Sequence, residues 1–305
     1  MNTIAMCVMS HNHPESVEHV LESYGDVFKA CELDIYYYDS SYDDRVKEIV
    51  NRYVDKGYDN LFYIPCQGIS GDQKLGLLYS CKQLKHDYDY VWVVKDRTAC
   101  DSRTILTIYQ EALFEKPDLI VIDTYGDNVG SGTVTYTDAP ALYRDYAWEI
   151  TSMDVTLFKV STMLKGYEPH DLPFDKDDPR SSFMQYDHIF RRLAQMDSLK
   201  VRVISDIGVR ILNSEKSGSM WADQIFDVWV DLWSRENESL PSIYEVVKSE
   251  VMKSEAVPAF LRSEEGLLEL KKRGILSKEK LTPEIQRRWS LVSQVPYEKL
   301  LEISN

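Results

Sequence analysis

Polar side chains follow two apolar runs near the start of the chain, and their types suit a polar ligand. The segment Ser10–Asn12 comes directly after Thr3–Met9, and Asp39 comes directly after Leu33–Tyr38. If both runs are strands of an open parallel sheet, their carboxyl ends meet at the edge where such sheets bind ligands. Asp39 can then accept a hydrogen bond from a base N–H or a ribose hydroxyl. The alternative is that Asp39 only caps the next helix.

A second polar segment, Gly68–Gly76, leads into a predicted helix. Its spacing matches neither a P-loop nor the GxGxxG dinucleotide fingerprint, so it does not indicate an ATP or NAD site. Lys74 falls on the first helical turn, where backbone N–H groups and the helix dipole favour anions. A phosphate contact and an ordinary solvated lysine are both open.

Three charged residues, Lys95, Asp96 and Arg97, follow the buried run Tyr90–Val94. Cationic side chains there can neutralise charge that develops on a phosphate, and arginine does so with a bidentate fork. Alternatively, Asp96 alone ligates a water-rich divalent cation.

The elements that must position these residues alternate regularly. Over the first ~125 residues, short apolar runs alternate with segments of helical period, which favours a mostly parallel sheet with helices on both faces. The chain is therefore predicted to be an α/β protein of a nucleotide-binding type. The five predicted strands are Thr3–Met9, Leu33–Tyr38, Leu61–Ile64, Tyr90–Val94 and Leu119–Asp123. Between them lie a helix that begins at Pro14 and helices at 43–54, 75–84 and 102–114.

The C-terminal region has a different pattern. From about residue 220, apolar residues recur with helical period, which predicts one domain at 1–220 and a helical C-terminal extension at 221–305. Its aromatic residues are typical of core packing. The alternative is that they form a surface for homo-oligomer formation or for docking of the acceptor. The tryptophans of this region's first helix are Trp221, Trp229 and Trp233.

Composition excludes several classes of protein. The formal net charge of −15 over 305 residues argues against a broad nucleic-acid or anionic-membrane surface. The sequence shows neither a signal peptide nor an apolar stretch of the roughly 20 residues that a membrane span needs, so a cytoplasmic protein is expected. The five cysteines include no CxxC pair, which indicates neither zinc nor disulfides.

The order and spacing of these segments resemble the N-terminal half of glycosyltransferase family 2 enzymes, which have the GT-A fold, a Rossmann-like nucleotide-diphospho-sugar transferase fold. The resemblance covers roughly residues 3–210 and is clearest in the first 110. The segments that carry it are Ser10-His11-Asn12, Asp39-Ser-Ser-Tyr-Asp-Asp44, Gly68 with Gly76, and Val91-Trp-Val-Val-Lys95-Asp96-Arg97.

The resemblance implies an inverting transfer of a sugar from a nucleotide-sugar, with a UDP-sugar as the expected donor. It implies that Asp39 contacts uracil and that Lys74 lies in the donor-contacting helix. Asp187, within the predicted helix 183–196, is the carboxylate nearest the family's general base, displaced by one residue in an ungapped fit. A positioned Asp serves as a general base at neutral pH, and the alternative is an ordinary surface charge on the helix. The donor-binding residues expected are Ser10, His11, Asn12, Asp39, Lys74, Lys95, Asp96 and Arg97.

This chain departs from the family at the DxD motif, which holds Mn²⁺ or Mg²⁺ in the family. Lys95 and Arg97 stand at the two aspartate positions, so metal dependence is open, with Asp96 as the candidate ligand. The expected acceptor is a hydroxyl of a glycan or glycoprotein, and overall resemblance suggests a bacterial serine-rich-repeat adhesin glycosylation cluster. The alternative is an inactive GT-A module that binds a glycan or a partner transferase. A nucleotidyltransferase is disfavoured because its Gly-rich signature is missing.

Overall fold

The computed structural model of the chain describes residues 3–123, 132–168, 178–205, 207–212, 224–253, 259–276 and 278–304. Two compact units make up the chain, and they interleave in sequence. The first comprises Met1–Asp138, Glu149–Phe174 and Gln195–Leu212, and the second comprises Ala139–Trp148, Asp175–Ala194 and Asn213–Asn305. The predicted boundary near residue 220 lies outside the described residues, and the division into 1–220 and 221–305 stays a prediction.

The strands all belong to the first unit. The described strands are β1 Ile4–Ser10, β2 Asp34–Asp39, β3 Leu61–Pro65, β4 Tyr90–Lys95, β5 Thr98–Cys100, β6 Leu119–Ile122, β7 Thr133–Tyr136, β8 Thr156–Lys159, β9 Val201–Ile204 and β10 Val209–Ile211. Eight of them form one sheet in the order β3-β2-β1-β4-β8-β6-β9-β7, and β5 pairs with β10 in a separate ribbon.

Parallel and antiparallel pairs are mixed in this sheet. Strand β1 runs parallel to β2 and β4, β2 to β3, and β6 to β9. Strand β8 runs antiparallel to both β4 and β6, and β7 runs antiparallel to β9. Parallel neighbours need crossover connections, which the helices provide. The predicted α/β fold is therefore confirmed. Its sheet is mixed, and most of the strand pairings in it are parallel.

Helices follow the strands in the first unit and make up the described part of the second. The described α-helices are α1 Pro14–Ala30, α2 Arg45–Asp55, α3 Gly71–Tyr79, α4 Ser102–Gln110, α5 Ala139–Tyr146, α6 Val160–Met163, α7 Pro179–Ser182, α8 Met184–Leu193, α9 Trp233–Ser239, α10 Glu245–Met252, α11 Ala259–Arg262, α12 Glu264–Lys272, α13 Pro283–Val292 and α14 Tyr297–Ser304. Wider π-helical turns continue α4 through Glu111–Glu115 and precede α9 at Ile225–Leu232.

The helices of the first unit lie on both faces of its sheet, as predicted. Successive strand residues point to opposite faces, so alternate residues such as Met6 and Val8 share one face. That face forms a single apolar core with α1, α2 and α4. On the other face, Tyr79 of α3 contacts Phe158 of β8 with ring centroids 5.1 Å apart.

Helix α3 begins and ends earlier than the predicted 75–84. The Ser70 side chain accepts from the Gln73 N–H and the Gln73 side chain accepts from the Ser70 N–H, a capping box that fixes the first turn at Gly71. The helix ends at Tyr79, and Cys81 has a positive φ of 53° that no helix continues through. Lys74 therefore lies in the first turn, as predicted.

An aromatic cluster forms the centre of the second unit. Trp233 and Trp229 are 0% and 8% exposed, and both contact Phe183 at the start of α8. These two tryptophans pack inside their own unit, which favours the core interpretation, while Trp221 lies outside the described residues. An oligomer stays a prediction. None of the described helices is both long enough and apolar enough to cross a membrane.

Candidate functional site

The register of three strands brings most of the predicted donor-binding residues to one edge of the sheet. Ser10, the last residue of β1, is in register with Asp39 at the end of β2. Met9 is in register with Lys95 at the end of β4. Because all three strands are parallel, their carboxyl ends and the loops that follow them converge there. This is the edge at which open α/β sheets bind ligands.

Asp39 is fully buried at this edge and is already well supplied with donors. Its Oδ1 accepts from the Ser41 N–H at 3.1 Å and the Ser41 hydroxyl at 2.6 Å, and its Oδ2 accepts from the Tyr63 hydroxyl at 3.0 Å. Burial, with Asp39 nearby, raises the pKa of Tyr63 to about 12, so the phenol remains a donor. A carboxylate has about four acceptor positions, so these contacts leave about one position of Asp39 unused.

The capping alternative for Asp39 is only partly matched by the structure. The bond from Ser41 N–H to Asp39 is a local Asx-type turn. However, α2 begins at Arg45, and its N-cap residue is Asp44. Asp39 thus shapes the loop after β2 and does not cap the helix. Its contact with a base stays a prediction.

The loop after β1 is tied to the loop after β2. Asn12 has a left-handed φ of 58°; its N–H donates to the Ser41 hydroxyl at 2.8 Å, and its Oδ1 accepts from the Tyr42 N–H at 3.0 Å. The His11 Nδ1 lies 3.1 Å from the Ser40 carbonyl oxygen. These bonds hold the predicted residues His11 and Asn12 in a preorganised rim.

Lys74 places a cation under this rim. It is 4% exposed, and its ammonium donates to the Ser10 carbonyl at 3.0 Å and the Ser40 hydroxyl at 2.8 Å. Burial lowers the pKa of Lys74, whereas Cys66, Asp96 and Asp39 raise it and offset part of that effect. An ammonium has three donors, and the third has no partner among the described residues. The arrangement suits an anionic ligand at the edge.

Asp96 turns back toward the loop after β1. Its Oδ2 accepts from the His11 N–H at 2.8 Å and the Ser10 hydroxyl at 3.3 Å, and it lies 3.3 Å from His13 Nδ1. The residue is 6% exposed, and this burial raises the pKa of its carboxyl group, although the contacts with His11, His13 and Ser10 lower it. Asp96 therefore organises the loop through one oxygen.

The residues around Asp96 supply few ligands for a divalent cation. Mg²⁺ takes oxygen ligands and is usually held by one or two carboxylates together with substrate phosphates. Across the part of the chain that the structure describes, no three His, Cys, Asp or Glu side chains come together as a metal site. Asp96 Oδ1 is the single carboxylate oxygen that the predicted motif offers.

Lys95 is paired with an acid that the sequence analysis missed. Its ammonium lies 3.2 Å from Asp154 Oδ2, and its backbone N–H donates to Asp154 Oδ1 at 2.7 Å. Asp154 is 1% exposed and also accepts from the Thr98 hydroxyl. The charge of Lys95 is therefore largely balanced inside the protein. The sequence signal was an acid at the head of the apolar run 155–158.

Arg97 is the cation of the triplet that remains uncommitted. Its backbone carbonyl accepts from the Leu212 N–H at 2.8 Å, which fixes the turn between β4 and β5. The residue is half-buried, and its guanidinium makes no hydrogen bond or ion pair with the described residues. Of the two cations at the DxD positions, Arg97 is the one available to a ligand.

Asp187 belongs to the second unit, whereas the residues above belong to the first. It lies in α8 with a side chain that is 15% exposed, so it is not a free surface charge. Its Oδ1 accepts from Arg191 Nε at 2.5 Å, and Arg191 Nη2 donates to the Ser239 hydroxyl at 2.7 Å. An arginine anchored in this way holds the Asp187 carboxylate in place.

The fold is of the GT-A type found in nucleotide-sugar transferases. It is recognised by the order of the strands and by the helical crossovers between the parallel strands. Residues 1–349 of S. aureus TarS match with a TM-score of 0.59 and 12% identity, over 99% of this chain and 81% of that one. The same protein in complex with UDP-GlcNAc matches with a TM-score of 0.56 and 13% identity, over 94% and 78%.

A third similar structure is the mannosyltransferase PcManGT from Pyrobaculum calidifontis in complex with GDP-Man and Mn²⁺. It has a TM-score of 0.57 and 10% identity, over 99% of this chain and 85% of that one. At these identities the likeness shows the fold alone. No protein-family model matches the chain, and no curated protein matches its sequence.

Proposed function

We propose that this protein is a glycosyltransferase that moves a sugar from a UDP-sugar to a hydroxyl of a glycan or glycoprotein. The observation that carries the proposal is the carboxyl edge of the sheet in the first unit. There Asp39 offers an acceptor for a base, and Lys74 and Arg97 offer two cations. The GT-A fold supports it, as do the UDP-GlcNAc and GDP-Man complexes of the similar proteins TarS and PcManGT.

In the proposed mechanism, Asp39 accepts a hydrogen bond from uracil. Lys74 and Arg97 contact the two phosphates and stabilise the charge that develops as the sugar–phosphate bond breaks. Asp187 takes the proton of the acceptor hydroxyl while that oxygen attacks the anomeric carbon, which inverts its configuration. Lys95 contributes less than the sequence suggests because Asp154 already balances its charge.

We propose further that cations act here in place of a metal. A DxD motif normally supplies carboxylates for a divalent cation that bridges the phosphates. Here the described residues offer a single acid at that place, so we assign phosphate stabilisation to Arg97 and Lys74. The acceptor, an adhesin substrate and a cytoplasmic location remain finer proposals that rest on the resemblance of the sequence.

A binding module without transferase activity is the second candidate. The internal pairing of Lys95 with Asp154 and the full burial of Asp39 favour it, because both groups are engaged without any ligand. Such a module would bind UDP but would neither hydrolyse nor transfer the sugar.

One experiment tests both candidates and the role of Arg97. Hydrolysis of UDP-GlcNAc is measured with and without EDTA, in parallel with UDP binding by calorimetry. Hydrolysis should survive EDTA, and Arg97→Ala should reduce it by a factor on the order of 100 through lost leaving-group stabilisation. Arg103→Ala, at an exposed arginine, is the control.

Other results would change the assignment. Loss of hydrolysis in EDTA with rescue by Mn²⁺ would make Asp96 the metal ligand and remove Arg97 from this role. UDP binding without hydrolysis or transfer would favour the binding module. Absence of UDP binding would contradict both candidates.

A further inference from the structure

Glu236, in α9 of the second unit, is a buried acid without a donor. Its side chain is 0% exposed, and neither carboxyl oxygen accepts a hydrogen bond from any residue that the structure describes. An ionised carboxylate in such a place would lose its hydration without compensation, which costs several kcal/mol. The physical expectation is that Glu236 carries a proton.

The neighbour of Glu236 is the proposed base. Helices α8 and α9 pack side by side here, since the Tyr186 hydroxyl donates to Asn237 Oδ1 at 2.7 Å and Arg191 Nη2 donates to the Ser239 hydroxyl at 2.7 Å. After burial, the negative charge and hydrogen-bonding interaction of Asp187 do most to raise the pKa of the Glu236 carboxyl. Two ionised carboxylates have no donor between them, so a hydrogen bond within this pair requires a proton on one of the two. Asp187 accepts a charge-assisted hydrogen bond from Arg191 Nε, whereas Glu236 has no such donor among the described residues. The proton therefore belongs on Glu236.

The surroundings agree with this distribution of charge. Burial raises the pKa of Glu236 far above its usual range, and the negative charges of Asp187 and Asp178 raise it further, whereas Arg191 lowers it. Among the described residues, Arg180 from α7, Tyr186 from α8 and Tyr143 from α5 also interact electrostatically with Glu236.

We propose that Glu236 is a positioning residue that remains protonated and donates its carboxyl proton to Asp187. The pair then holds one negative charge, clamped by Arg191 on one side and by the Glu236 hydroxyl on the other. This inference rests on the proposed function, in which Asp187 accepts the proton of the acceptor hydroxyl. When the acceptor O–H bond breaks, that proton moves to Asp187, and the pair is then neutral until it releases a proton to water.

The first test measures stability and does not depend on catalysis. A folded-state pKa above the unfolded value of 4.5 means that the native protein binds the Glu236 proton more tightly. Its contribution to stability is complete below that value and is lost as the pH rises through the folded-state pKa. Melting temperatures of the parent, Glu236→Gln and the exposed control Glu250→Gln are compared from about pH 5 to about pH 8.

The proposal predicts that Glu236→Gln becomes less pH-dependent than the parent, while Glu250→Gln follows the parent. An amide keeps a donor for Asp187 and cannot ionise. Parallel curves for the parent and Glu236→Gln would show that Glu236 does not change protonation on unfolding, and would overturn the proposal.

The second test is the pH profile of sugar transfer. Glu236→Leu removes the donor to Asp187, so the acid limb should move to higher pH by about one unit. Glu236→Gln should restore the parent profile because it supplies an N–H in place of the acid O–H. If Glu236 were ionised in the parent, Glu236→Gln would instead remove a neighbouring negative charge and move the acid limb to lower pH, which contradicts the proposal.

The two tests separate the failure of the pair from the failure of the proposed function. If Asp187→Asn transfers sugar like the parent, Asp187 is not the base, yet the stability curves still decide whether Glu236 is protonated. If Asp187→Asn is inactive and the stability curves are parallel, the base stands and the role of Glu236 is withdrawn.

Discussion

The buried acids of the two units differ in their hydrogen bonds. In the first unit, each buried carboxylate has at least three polar contacts, and these acids are Asp39, Asp96 and Asp154. In the second unit, the buried carboxyl group of Glu236 accepts no hydrogen bond from a described residue. Burial alone destabilises the charged form of every one of them. Donors offset that cost in the first unit, and a shared proton offsets it in the second. The acids of the first unit are suited to fixed contacts, and the Glu236–Asp187 pair of the second unit is suited to proton transfer.

The largest expected effect tests the proton-handling side of this comparison. Asp187→Asn keeps the size of the side chain but removes proton acceptance, so transfer should fall by about 100-fold to 10,000-fold. UDP affinity should stay near that of the parent, because the role proposed for Asp187 lies in the acceptor step. Transfer rates and calorimetry check this, with the exposed Asp227→Asn as control. If UDP binding falls together with transfer, Asp187 is a structural or donor-site residue.

The next prediction concerns an acid held by donors. Asp154→Ala would leave the buried Thr98 hydroxyl and the Lys95 N–H without their acceptor, so the free energy of unfolding should fall by about 3 kcal/mol. Urea denaturation of this variant and of the exposed control Asp55→Ala measures the difference. A loss no larger than in the control would mean that Asp154 is not a fixed acceptor, and the contrast between the units would weaken.

A smaller effect is expected at Asp39. Asp39→Ala removes the proposed acceptor for uracil and the partner of Ser41 and Tyr63, so UDP affinity should drop by about tenfold or more. Calorimetry measures the affinity, and a melting curve shows whether the variant is folded. Equal UDP affinity in a folded Asp39→Ala protein would remove Asp39 from the donor site and leave it a purely structural role.

The smallest expected effect separates the two partners of the Lys95–Asp154 pair. The Lys95 side chain is 33% exposed and that of Asp154 is 2% exposed. Solvent therefore screens the charge of Lys95 and weakens its contribution to stability, whereas the carboxylate of Asp154 is shielded from water. Lys95→Met should therefore cost about 1 kcal/mol or less of stability, because Asp154 keeps the Thr98 and backbone donors. A double-mutant cycle with Asp154→Ala measures the coupling. A cost at Lys95 equal to that at Asp154 would show that the charge pair itself dominates.

The sequence by itself predicted the elements that carry the first unit. Apolar periodicity placed β1, β2, β3, β4 and β6 to within about two residues, and the alternation with helices gave the α/β fold. It did so because buried strands and amphipathic helices impose local patterns that are visible over short windows. The polar residues after β1, β2 and β4 could be grouped for the same reason, since parallel strands share one carboxyl edge.

Only the tertiary structure decided how the charges are matched. The antiparallel insertion of β8 between β4 and β6 brings the segment of Asp154 beside Lys95, 59 residues earlier in the chain. Asp187 and Glu236 are likewise far apart in the sequence, and the packing of helix α8 against helix α9 brings them together. Pairing of this kind depends on packing between distant segments, whereas sequence patterns report local burial. The sequence therefore showed which residues could carry charge or protons, and the fold determined which of them are already neutralised.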